Sequence, residues 1–171
     1  MTGILRALRL LAIVVWVGGL IFFAFVEAPT AFHVMGTNQQ FAQLIGGSLE
    51  ALNQFGIICG FAFLLSTIGL WYRTDPKGRR LLLVEAVLII LMITGTQFVQ
   101  RSIVPAMERD RAAAGGDINA VAKDNAARVD FDRLHHQSEN VEGAVLFLGI
   151  GVVLVMAAEV SRSDRGTVAT R

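Results

Sequence analysis

Charge is scarce in this sequence: Asp, Glu, Lys and Arg make up 17% of its 171 residues, where a soluble domain carries about 25%. Acids and bases nearly cancel to a net charge of +1. No basic stripe offers a footprint for nucleic acid, which removes that class of partner. The single cysteine, Cys59, lies inside an apolar run, so an internal disulfide and a cysteine-based zinc site are both excluded, and it reads as packing. Catalytic motifs are missing as well: there is no GxSxG, no P-loop, no GxGxxG after a strand and no HExxH. No enzymatic activity is expected.

What the chain does have is apolar length. It is 54% hydrophobic with a mean hydropathy of +0.57. Four segments, about 4–26, 51–72, 81–99 and 141–160, approach or reach the roughly 17–25 residues of a membrane-crossing helix. The first exceeds the roughly 7–15 apolar residues of a secretory signal core, so it is read as a span. The fourth is charge-free only over 143–158 and is expected to continue a helix begun outside the lipid. The expected architecture is a single integral membrane domain over 1–171, an all-α four-helix transmembrane bundle of up-down order, with the lipid bilayer as its first partner.

Orientation follows from the basic residues, because Lys and Arg near span ends are retained in the cytoplasm. Arg6 and Arg9 precede the first span, Arg73, Lys77, Arg79 and Arg80 join the second to the third, and Arg162, Arg165 and Arg171 follow the fourth. The 28–50 connection has none. Both termini are therefore expected to be cytoplasmic, in a bacterial inner membrane. Thr37 to Leu49 carries Phe41, Leu44 and Ile45 and reads as a short interfacial helix. The 101–140 connection mixes acids, bases and alanines, which favour helix. It is expected to form an extramembrane hairpin: an outgoing helix to about Ala114 with a kink at Pro105, a turn at Gly115-Gly116, and a return helix capped by Asp117. Gly56 and Gly60 form a small-xxx-small pair, read as packing within the chain or as a homo-oligomer seam.

Polar side chains in lipid are costly, about 2.5–3.5 kcal/mol on insertion scales, and so are functional candidates. Glu85 lies one turn inside the third span, where pairing with Arg80 or snorkelling would satisfy it; Gln97 and Gln100 approach that span's other end. Beyond it, Asp132, His135, Glu139 and Glu142 recur at helical spacing and would face Glu27 and His33 if the fourth helix packs on the first. Imidazole plus carboxylates suits zinc, iron, copper(II) or manganese, so His135, Glu139, Glu142, Glu27 and His33 form a candidate metal site. The alternative is a solvated, salt-bridged helix. A haem reading would use His135 or His33 as axial ligand, although no histidine lies within the apolar spans.

Three stretches, Trp16-Val17-Gly18-Gly19-Leu20-Ile21-Phe22-Phe23, Val26-Glu27-Ala28-Pro29-Thr30-Ala31-Phe32 and Phe131-Asp132-Arg133-Leu134-His135-His136-Gln137-Ser138, resemble the transmembrane protein 205-like family, a four-span domain of unknown function. The WxGG string with a later Ala-Pro is also reminiscent of copper-resistance D-like membrane proteins. The resemblance implies four spans and a link to platinum-drug tolerance or copper. It carries over Trp16, Gly18, Gly19, Ala28, Pro29, Phe32, Phe131, Leu134, His135 and Ser138, with Glu142 standing where the family commonly has asparagine. Physically, Gly18 and Gly19 would permit close helix contact and Pro29 would end the first span. The expected function is metal or toxic-cation handling through the outer His/Glu cluster. The alternatives are an accessory subunit docking a larger membrane complex through Gly56, Gly60 and the hairpin, and a haem-binding redox protein.

Overall fold

Backbone donors buried in lipid must find acceptors within their own segment, so uncharged runs of this length fold as helix. In the computed structural model, which describes residues 2–36 and 39–168 with the side chains of Lys77 and 160–168 left aside, no described residue lies in a strand. The helices are α1 (Thr2–Phe22), α2 (Ala28–Met35), α3 (Gln39–Trp71), α4 (Pro76–Phe98), α5 (Val104–Ala113) and α6 (Ala126–Val168). Joined through short π-helical links, α1 runs into α2 and α4 into α5, which gives four rods that are each long and apolar enough to cross a bilayer. The chain is an integral membrane protein.

The rods form an up-down bundle: α1 packs on α3, α3 on α4, α4 on α6, and α6 back on α1. The diagonals, α1–α4 and α3–α6, have no comparable backbone contact. The interior is filled by residues such as Ile13, Trp16, Phe63, Ile89, Met92 and Val152. The outward faces carry Leu65, Phe147 and Leu154 at 69%, 74% and 66% exposure, as expected where lipid is the solvent. Trp16 explains the glycine pair: a Cβ on Gly56 would collide with its indole, and one on Gly60 would lie 2.9 Å from the indole and from Ile93. Gly56 and Gly60 thus seat a tryptophan of the same chain. Of the other pair only Gly19 meets a neighbour, Leu52; Gly18 meets nothing.

The prolines do not end rods. Pro29 and Pro105 each follow a π-helical segment, Phe23–Glu27 and Val99–Ile103, in which the Ala28 and Val104 amides reach back to Phe23 O and Val99 O. A proline offers no amide and its ring crowds the carbonyl four residues back; a wider turn just before it absorbs both effects and lets the helix continue. The expectation that Pro29 closes the first span is therefore corrected, and Pro105 sits in the first turn of α5. Nor is there a separate interfacial helix over 37–49: from Gln39 onward that segment is the first part of α3, while Thr37, like Arg171, lies outside the described residues.

The hairpin exists with a longer turn than expected. Gly115 and Gly116 take φ of 80° and 99°, which suits glycine. Residues 117–125 then stay irregular around the buried Ile118. Asp117 Oδ1 accepts the Asn119 amide, closing a turn, and the cap of the return helix is Asn125, whose Oδ1 accepts the Ala127 amide at 3.0 Å. Arg111 lies over the Phe131 ring at 5.4 Å and clasps α5 to α6.

Candidate functional site

Because α1 starts and α6 finishes at one end of the bundle, that end is called here the terminal end and the other the hairpin end. Arg9 is fully buried on α1, although the sequence places it as a flank, and its guanidinium pairs with the fully buried Glu85 of α4. A second nitrogen reaches Glu159 of α6 at 3.4 Å, Arg6 lies 3.7 Å from the same carboxylate, and the Arg9 guanidinium stands 4.9 Å from the Phe63 ring centroid. The expected partner of Glu85, Arg80, is exposed; a helix neighbour five residues away points elsewhere, whereas Arg9 lies directly across the bundle. Burying a guanidinium and a carboxylate is tolerated only as a pair with further contacts, and Glu159 and Phe63 supply them. Arg9 Nε and Glu85 Oε1 remain without a partner among the described residues.

Nearer the hairpin end a second polar bridge crosses the other diagonal. Asn53 of α3, fully buried one turn before Gly56, donates from Nδ2 to Glu142 Oε1 on α6 at 2.8 Å. Four buried polar atoms in this half have no partner among the described residues: Asn53 Oδ1, Glu142 Oε2, Thr96 Oγ1 and Trp16 Nε1. They share a level. Thr96 follows Gly95, which packs on Val141 and Val145 either side of Glu142, and the Trp16 indole rests on Gly56 next to Asn53. Each helix of the bundle contributes one of them, three being oxygens.

The histidine set is arranged differently from the expectation. His135, His136 and Glu139 contact one another on the surface of α6, at 3.3 Å for His135–Glu139 and 3.1 Å for His136–Glu139, with side chains more than half exposed. Phe131 stacks beside His135 and Ser138 Oγ donates to the His135 carbonyl. Glu142, two turns on, turns inward to Asn53. Asp132 is exposed, as is His33 on α2, where Phe32 packs edge-on against Phe41 of α3. Glu27 is half-buried in the first π-helical link, and Gln97 and Gln100 are half-buried around the second. With α2 on α3 and α5 on α6, these groups stay on separate pairs of helices. Among the described residues, no three His, Cys, Asp or Glu come together as metal ligands, and the two candidate haem ligands, His33 and His135, are both exposed.

Asn53, Thr96 and Glu159 were not singled out in the sequence and Arg9 was placed only as a flank, yet three of the four left a signal. Asn53 and Thr96 are hydrogen-bonding side chains facing the interior of apolar runs, and Arg9 follows seven residues of continuous α1.

No curated protein and no solved structure matches the chain. The model of the family described as Domain of unknown function (DUF4149) matches residues 11–112, which hold Trp16, Asn53, Glu85 and Thr96 but not the Phe131–Ser138 stretch. The chain belongs to that family.

Proposed function

We propose that this membrane protein handles a small cation, with Glu142 as the binding carboxylate and the exposed His135 and Glu139 as a capture pair one to two turns nearer the hairpin turn. The carrying observation is the buried, partnerless Glu142 Oε2, on a carboxylate already held by Asn53, with Asn53 Oδ1 and Thr96 Oγ1 likewise buried and without a partner among the described residues in the same half of the bundle. An ionisable side chain turned into a transmembrane bundle is costly and is a functional candidate by default. The resemblance to transmembrane protein 205-like and copper-resistance D-like proteins supports the same reading. The two π-helical links add to it, since such wide turns recur at functional sites. Placement of the hairpin end outside a bacterial inner membrane, with both termini in the cytoplasm, follows from the basic turn at 73–80 and the absence of Lys and Arg from 28–50.

Protein extracted in mild detergent and assayed with zinc, manganese and potassium tests the reading. Bound metal near one per chain, lost in Glu142→Gln and weakened in His135→Ala/Glu139→Ala, is the expected result. Metal-free protein whose thermal unfolding is unmoved by all three ions overturns it.

A further inference from the structure

The turn between α3 and α4 carries a feature that cation handling does not use. A groove of about 200 Å³ opens on the outer surface of the bundle, lined by Thr67, Ile68, Trp71, Tyr72, Leu82, Leu83 and Ala86. Its floor is buried at Thr67 and Leu82, and its rim is open at Ile68, Leu83 and Tyr72. In a bilayer this rim faces acyl chains, and the paired aromatics Trp71 and Tyr72 stand at the level where tryptophan and tyrosine meet headgroups.

The mouth is basic. Arg79 folds back over Trp71, its Cζ 5.6 Å from the ring centroid, and its Nε donates to Trp71 O at 3.1 Å and to Thr74 O at 2.9 Å. Those bonds fix the guanidinium at the end of the groove, and its terminal nitrogens have no acceptor among the described residues. Arg73 and Arg80, on either side of it in sequence, are both exposed, and Asp75 is the one acid within 72–84.

We propose that this groove binds an anionic phospholipid, one acyl chain lying along Ile68, Leu83 and Ala86 and the phosphate meeting Arg79 between Arg73 and Arg80. Arginine forks match phosphate oxygens in geometry as well as charge. A zwitterionic lipid offers the same chain but cancels much of the attraction, so the site discriminates by headgroup. An apolar groove alone would hold any lipid. The guanidinium pinned at its mouth is what selects the anion.

Native mass spectrometry of the full chain in detergent, with dioleoyl phosphatidylglycerol or dioleoyl phosphatidylcholine added at equal concentration, tests the proposal. Phosphatidylglycerol should be retained preferentially. A basic residue at an anionic surface is worth about fivefold in binding, so Arg73→Gln/Arg80→Gln should lower that preference by about fivefold or more, and both positions are exposed enough to leave folding intact. Ala86→Phe should expel the lipid by filling the groove, with Ala86→Leu as the smaller intrusion if the larger one disturbs packing. The matched change at the hairpin end, Arg101→Gln/Arg109→Gln, should leave binding unaltered, and inorganic phosphate should not compete. Equal retention of the two lipids overturns the proposal. So does an equal loss from the two arginine pairs, which would indicate diffuse surface charge, or full retention with Ala86 enlarged.

Discussion

At the scale of single residues, burial separates glycines and charges that look alike in the sequence. Gly56→Ala places a methyl group inside the Trp16 indole, an overpacking expected to cost about 1–3 kcal/mol. Gly18→Ala meets nothing and sits in a helix interior, where alanine is favoured by about 0.5–1 kcal/mol. Reversible unfolding in mixed micelles should therefore move in opposite directions for the two; a shift of the same sign would mean that Trp16 does not lie on Gly56. Arg9 and Glu85 can be tested as a unit. Removing one partner of a buried pair costs about 3–5 kcal/mol, whereas apolar replacement of both is often near neutral. A double-mutant cycle on Arg9→Met and Glu85→Met should give strong coupling, the double variant being more stable than either single one. Additive losses would show that the pair does not form. Glu159 keeps Arg6 in every variant, so the cycle isolates the diagonal bond.

At the scale of elements, the readable and the unreadable parts of the sequence divide along a physical line. Helix existence and span order were legible because each depends on a local run of apolar residues, and lipid leaves the backbone no other choice. The outgoing arm to about Ala114 was legible for the same local reason. Partners across the bundle were not: Arg80 is close to Glu85 in sequence, whereas Arg9 is 76 residues away, and helical periodicity says which side a residue faces but not what stands opposite. The same limit placed Glu142 with His135. They do share a helix and nearly a face, yet α6 leaves the four-helix body between them, so one turns to Asn53 and the other to solvent. Pro29 misled because the wide turn preceding it has no signature in composition. That turn is open to test. Deleting Val26 should convert Phe23–Glu27 to ordinary helix and rotate α2 by about 100°, one residue's turn. Cysteines at Phe32 and Phe41, in a Cys59→Ser background, should be joined by a short bismaleimide in the full-length chain and not in the deletion variant. Efficient linking in both would mean that the π-helical link does not set the direction of α2.

At the scale of the whole molecule, the two diagonal bridges divide the bundle into a charged level near the terminal end and an amide–carboxyl level near the hairpin end, separated by the apolar layer around Ile89, Met92 and Val152. Ring neighbours are already held by packed side chains, and in lipid the packing between them carries association without a hydrophobic driving force. The diagonals have no comparable backbone contact, so the polar bridges add to the core side chains in setting which opposing faces meet, and a sliding of α1 against α4 would leave a buried charge unpaired. This arrangement also alters the basis for orientation. Arg9 is spent inside the bundle and cannot serve as a flanking charge, which leaves the 73–80 turn as the strongest local signal for which end stays in the cytoplasm. Cysteines placed singly at Asp75 and Ala120, both exposed, in a Cys59→Ser background test the result in intact cells with a membrane-impermeant maleimide. Ala120→Cys should be labelled from outside and Asp75→Cys only after permeabilisation. The reverse pattern would invert the bundle and put Glu142, with its unpartnered Oε2, near the cytoplasm, where a cation would enter from the opposite face. Labelling of both without permeabilisation would be incompatible with α4 crossing the membrane between them.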